Sequence, residues 1–183
     1  MAMVDNVKGM QALFDYLDGL SGRADKSKLG ALLRELYLTV ADVHDFVRFD
    51  QKHYTRYLLR ENEYYQALLL CWRSGQRTPI HNHPGAVGGV RVLKGIVTES
   101  LFEFAPNGLI KPTCSRDLEP GGVVTLEHPY VHQLSNLQET ETDLITFHVY
   151  SPPLPRMDTY SLTDRHLGEF RPTVFEHALG SGI

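Results

Sequence analysis

Apolar positions change their spacing near residue 60. Before it they recur every three or four residues. Met10, Leu13, Phe14 and Leu17 form one stripe, and Leu29, Leu32, Leu33 and Leu36 form a second. That is the period of a helix with one face turned to a core. Thr39 stands three residues ahead of Asp42 and just before Val43, Phe46 and Val47, where it would cap a third helix.

Past residue 60 the apolar runs shorten. Tyr64 to Trp72 is brief for a helix and is bounded by Ser74-Gly75; Val90 to Leu93, Gly95 to Phe104, Val123 to Leu126 and Leu144 to Tyr150 follow. Pro106-Asn107-Gly108, Pro120-Gly121-Gly122 and Ser151-Pro152-Pro153 punctuate them as turns. Many short strands with Gly/Pro turns predict an antiparallel sandwich or barrel. The expected fold is therefore mainly β. A helical cap of about three α-helices spans residues 1–55, a β-barrel spans 56–153, and an extension over 154–183 wraps the barrel exterior. No repeat, linker or low-complexity block divides the chain, so one domain over 1–183 is expected.

Composition narrows the function more than the fold. At 183 residues, 42% hydrophobic, the chain can bury a core without disulfide staples. Its net charge of -4 and scattered Lys and Arg argue against nucleic acid or an anionic membrane as partner. Cys71 and Cys114 are too few for a disulfide framework and lack the CxxC spacing of a thiolate zinc site. The opening MAMVDNVKGM has no apolar leader, so a cytoplasmic, reducing setting is expected. No long apolar surface stripe is left over, which points to a monomer.

The nine histidines carry the chemistry. His44, His53, His166 and His177 read as ordinary surface histidines. His81 and His83 differ, because two residues apart beside a strand puts both imidazoles on one face, within reach of one metal. A third ligand is expected from a nearby strand. His132 is preferred, since it enters the alternating run Val131 to Asn136, whereas His128 precedes Pro129 and reads as a turn residue. From Pro84 to Thr98 there is no Asp or Glu, and position 88 is Gly. A site with a carboxylate ligand shortly after the HxH is thus disfavoured. A neutral three-imidazole site with open positions suits Fe(II) binding a thiolate and O2, and the same donors could hold Zn²⁺. Cys71, Trp72, Tyr64 and Tyr65 read as packing residues.

These residues resemble the cupin superfamily: Gly75…His81-Asn82-His83…Gly95 stands as the first motif, without its Glu, and Pro129…His132…Asn136 as the second. Within cupins the chain resembles the cysteine dioxygenase family from about Tyr54 to Pro153. The resemblance rests on Tyr54-Thr55-Arg56, Leu69-Leu70-Cys71-Trp72, His81-Asn82-His83, Leu93-Lys94-Gly95, His132…Asn136 and His148-Val149-Tyr150-Ser151-Pro152-Pro153. It implies a cupin-type barrel (double-stranded β-helix or jelly roll) with Fe(2+) on His81, His83 and His132, oxidising L-cysteine with O2 to cysteine sulfinic acid. It further implies that Arg56 pairs with the substrate carboxylate and that Tyr54 stands near it. Thr146, His148 and Tyr150 would face the interior, with His148 and Tyr150 beside the iron. Animal members carry at the position of Gly88 a cysteine linked to the tyrosine matching Tyr150; Gly88 cannot form that link, which is similar to the bacterial subgroup. Relatives that prefer 3-mercaptopropionate tend to have glutamine where this chain has Arg56, so cysteine is the expected substrate. A metal-binding cupin without oxygen chemistry is the remaining alternative.

Overall fold

The computed structural model describes residues 10–165 and 167–175; His166 and His177 therefore lie outside the described residues. Among the described residues two α-helices come first, α1 (Met10–Asp18) and α2 (Lys26–Glu35), followed by a 3₁₀ segment, Ala41–Phe46. The helical stripes lie where their spacing puts them. Met10, Leu13, Phe14 and Leu17 are buried on α1, and Leu29 and Leu33 on α2. The Asp25 side chain accepts a hydrogen bond from the Lys28 N–H at 2.7 Å and caps α2. The third helical segment is 3₁₀ and not α. Asp42 turns back to accept from both the backbone N–H and the hydroxyl of Thr39, and a non-helical Val43 breaks the turn.

Among the described residues, eleven strands form two antiparallel sheets. The five-stranded sheet runs β1 (Thr55–Asn62), β2 (Tyr65–Trp72), β9 (Leu144–Ser151), β4 (Val87–Lys94) and β7 (Val123–Glu127). The six-stranded sheet runs β11 (Gly168–Phe170), β10 (Met157–Tyr160), β3 (Ile80–His81), β8 (Val131–Ser135), β5 (Val97–Phe104) and β6 (Ile110–Leu118). This is the mainly β, cupin-type architecture.

The core has two layers, and the central strands serve both. On β9, Ile145, Phe147 and Val149 pack outward under α1 and α2, while Leu144, Thr146, His148 and Tyr150 point the other way; all eight residues of the strand are buried. On β2, Ala67, Leu69 and Cys71 join the helical layer, and Leu68, Leu70 and Trp72 fill the barrel. A strand covered on both faces shows no hydrophobic alternation, which is why these segments read as continuous apolar runs. Cys71 is a packed core thiol, and burial pushes its pKa up.

The C-terminal extension departs from expectation. It does not simply wrap the exterior. The hairpin β10–β11 adds two strands to the larger sheet beside β3, and Phe175 then bridges to β1, its N–H donating to the Arg56 carbonyl at 2.8 Å. No helix among the described residues is long and apolar enough to cross a membrane.

Gly95 makes the tight turn between β4 and β5 at φ +77°, and a Cβ there would lie 2.6 Å from the Asp143 carbonyl oxygen. Gly95→Ala is expected to cost roughly 2–3 kcal/mol, from backbone strain and a clash with main chain that cannot swing aside. Gly22→Ala, which meets nothing within 4 Å, is expected to leave the urea midpoint almost unmoved, so the two variants together measure the strain.

Candidate metal centre

β3 is only two residues long, yet it carries the site. Its His81 lies directly opposite His132 of β8 in the antiparallel register, so both imidazoles project from one face of the sheet. His83 follows in the turn toward β4. Its ring packs closely over Gly88: a Cβ at 88 would stand 2.9 Å from His83 Nδ1, so the ring would have to shift to admit one. His81, His83 and His132 are all buried, and their nearest ring nitrogens lie within 4.8 Å of one another. Exposed His128 takes no part.

Hydrogen bonds fix which nitrogen is free on two of the three rings. His81 Nδ1 donates to the Pro79 carbonyl at 2.9 Å, and His132 Nδ1 donates to the Glu99 carboxylate at 3.0 Å, because neither oxygen has a proton to give at neutral pH. The Nε2 lone pairs of His81 and His132 are therefore the ones available. His81 Nε2 lies 3.1 Å from His83 Nε2, and buried His132 Nε2 has no hydrogen-bond partner. Three nitrogen donors converging in a buried pocket, one of them without a partner, fit a metal ion. Burial, then the repulsion of neighbouring imidazoles, holds His81 and His83 well below the usual histidine pKa and keeps them unprotonated. His148 is held down likewise, by burial and then by the Arg56 charge.

These depressed histidines give a pH prediction. Below the ordinary histidine value of 6.5 the unfolded chain takes up protons that the folded chain refuses, so the folded state loses stability as pH falls through that region. Metal-free protein is expected to weaken between pH 7 and 5, by up to about 1.4 kcal/mol per pH unit for each such histidine. Urea titrations at pH 7, 6 and 5 would read this; a flat midpoint would contradict it.

Beside the imidazoles runs a hydrogen-bonded chain along β9. The Trp72 indole N–H donates to Thr146 Oγ1 at 2.9 Å; Thr146 Oγ1 lies 2.8 Å from His148 Nε2; His148 Nδ1 lies 3.0 Å from the Tyr150 hydroxyl. An indole can only donate. Thr146 Oγ1 therefore accepts from Trp72, and the His148 ring spans the gap from Thr146 Oγ1 to the Tyr150 hydroxyl, one ring nitrogen facing each. The Tyr150 ring packs edge-on against His83, centroids 5.1 Å apart, and burial raises its pKa and keeps the phenol protonated.

Arg56 closes the other side. Its guanidinium lies 5.7 Å from the centre of the Tyr150 ring. The residue is 2% exposed, yet Nε and one terminal nitrogen are buried without a hydrogen-bond partner. Tyr54, whose hydroxyl is also unpartnered, stacks on Trp72 at 4.3 Å. An open cleft of about 900 Å³ borders this corner through Tyr54, Arg56 and Pro79 but is not lined by the imidazoles.

Every site residue expected from the sequence thus gathers in one region, Thr146 through its bond to His148. Two further contributors join them. Trp72 is a hydrogen-bond donor to the chain of polar groups as well as a packing residue. Glu99, the first carboxylate beyond the acid-free stretch, is wholly buried against His132. Burial alone would raise its pKa, but His132 and Arg116 outweigh burial and hold it below the usual value.

The model of the family described as cysteine dioxygenase type I matches residues 23–163. The cysteine dioxygenase type 1 of Danio rerio is 29% identical over 135 residues, covering 71% of this chain and 67% of that protein. That of Rattus norvegicus is 30% identical over 128 residues, covering 67% and 62%. The chain therefore spans about two thirds of these relatives' length or slightly less. A solved protein from Thermus thermophilus shares the fold, with a TM-score of 0.51 at 17% identity over 63% of this chain and 98% of that one. The match to the family takes in the five-residue span from His81 to Gly85 as well as β8 and β9, so the segments that build the pocket are the segments that are shared: the chain belongs to the cysteine dioxygenase type I family.

Proposed function

We propose that the protein is a thiol dioxygenase that holds Fe(2+) on His81, His83 and His132 and converts L-cysteine to cysteine sulfinic acid. The observation that carries the reading is the pairing of a buried, under-bonded Arg56 with three convergent imidazoles, bridged by Tyr150. A buried cation with unfilled donors calls for an anion. A guanidinium fork matches a carboxylate in two parallel hydrogen bonds, so a small thiol carrying a carboxylate satisfies Arg56 while its sulfur reaches the metal side.

Bound Fe(2+) would supply adjacent open positions for thiolate and O2 and the electrons that activate O2. The protein's own groups do the rest. Arg56 anchors the carboxylate and sets the reach of the sulfur. Tyr150 offers its hydroxyl to the reacting groups, and His148, held by Thr146 and Trp72, positions that hydroxyl. The stoichiometry needs no further reductant: thiol plus O2 gives the sulfinic acid, both oxygen atoms joining sulfur as it is oxidised and O2 is reduced.

Oxygen uptake by anaerobically Fe(II)-loaded protein is expected to be fastest with L-cysteine, slower with 3-mercaptopropionate and slowest with cysteamine, which lacks the carboxylate. The product should gain the mass of two oxygens. Preference for 3-mercaptopropionate would keep the chemistry and change the substrate. No uptake with any thiol by iron-loaded protein would return the chain to non-oxygenase metal binding.

A further inference from the structure

We infer that Glu99, clamped from the surface by Arg116, is the positioning residue that presents His132 Nε2 to the metal. The register of the six-stranded sheet makes the arrangement. Leu101 of β5 pairs with His132 of β8, and Glu99 with Leu134, so Glu99 and His132 are diagonal neighbours on one face. On the other side of β5, Glu99 pairs directly with Arg116 of β6. A line of polar groups thus crosses four strands: His81, His132, Glu99, Arg116.

The distances assign a task to each end of the carboxylate. Oε1 lies 3.0 Å from His132 Nδ1, while Oε2 lies 2.8 Å from Arg116 Nε and 2.7 Å from a terminal nitrogen. With both Arg116 donors on one oxygen, the other is held against the imidazole. The Glu99 side chain is 0% exposed, whereas Arg116 is 50% exposed. A buried carboxylate in the barrel wall is costly unless its bonds are all made, and here both oxygens are engaged. An imidazole whose Nδ1–H is tied to a carboxylate has one tautomer, one ring orientation and a more basic Nε2. Glu99 sits on the Nδ1 side of the ring, so it acts through His132 and is not itself a ligand. Nothing comparable holds His81, whose Nδ1 meets a neutral carbonyl.

The inference rests on the three histidines being metal ligands, so the test reads metal binding and not thiol oxidation. Co(II) titrated into the full-length metal-free protein against a chromophoric chelator gives the affinity, and the absorption bands of bound Co(II) report the ligand geometry. Glu99→Ala is expected to bind Co(II) about 10–100-fold more weakly, with altered bands. Glu99→Gln, which keeps an oxygen for Nδ1–H, should fall between Glu99→Ala and the unsubstituted protein. Arg116→Met, at the exposed end, should weaken binding several-fold even if Glu99→Ala does not fold. A loss of metal-free stability with unchanged Co(II) affinity and bands in these variants would make the pair merely structural and overturn the inference. Failure of the unsubstituted protein to bind Co(II) would overturn the ligand assignment itself.

Discussion

His132→Ala is expected to abolish metal loading and to lower thiol-dependent oxygen uptake by about 10³-fold or more, while His128→Ala leaves both unchanged. The difference follows from position. His132 is 1% exposed, opposite His81, with Nδ1 tied to Glu99 and Nε2 unpartnered. Its removal leaves two imidazoles and a buried carboxylate that has lost one of its two partners. His128 is exposed beyond the end of β7, and its ring has no part in the cluster. Iron content after anaerobic loading and desalting decides the matter before any assay. Retention of metal by His132→Ala, or its loss from His128→Ala, would mean that the third ligand lies elsewhere. The two variants are expected to differ in stability as well, because only one of them breaks a buried hydrogen-bonded pair.

What is legible in the sequence follows from where each residue faces. The α1 and α2 stripes are plain because one side of each helix is buried and the other wet. β2 and β9 are visible as apolar runs because both of their faces are covered. The HxH pair needs only the two-residue period of an extended chain. β6 leaves no such mark, because seven of its nine residues are exposed and an exposed edge strand carries no hydrophobic signal. β3, two residues long, is a strand only by virtue of its partners. The same applies to β10 and β11, whose residues are mostly half-exposed. Glu99 is hidden for a different reason. Nothing local marks it, and its meaning depends on the pairing of β5 with β8, a register set by the whole sheet. Trp72 reads as a packing residue and is one, but the direction of its N–H toward Thr146 exists only once β2 and β9 lie side by side. The three converging imidazoles are accessible from spacing; Glu99 and the Trp72 N–H, whose roles exist only through strand pairing, are not.

Arg56→Ala is expected to lower kcat/KM for L-cysteine by roughly 10²-fold, about 3 kcal/mol, mainly through KM, because truncating one member of a buried, hydrogen-bonded charge pair costs about 2–5 kcal/mol. Cysteamine has no carboxylate, so its kcat/KM should hardly move, and the preference between the two thiols should collapse. Arg56→Lys keeps the charge but not the fork, and is expected to recover only part of the loss. The unliganded protein supplies an independent check. Two of the Arg56 nitrogens are buried without partners, so the free enzyme bears the cost of an under-solvated cation that the substrate would relieve. Thiol-free Arg56→Ala is therefore expected to melt no lower than the unsubstituted protein, and addition of L-cysteine under anaerobic conditions should raise the melting temperature of the unsubstituted protein only. Such a trade, stability given up in the free state for a contact completed by the ligand, separates a binding arginine from a structural one. A large drop in stability with an unchanged KM would place Arg56 in the architecture of β1 and leave the carboxylate without a partner in this pocket.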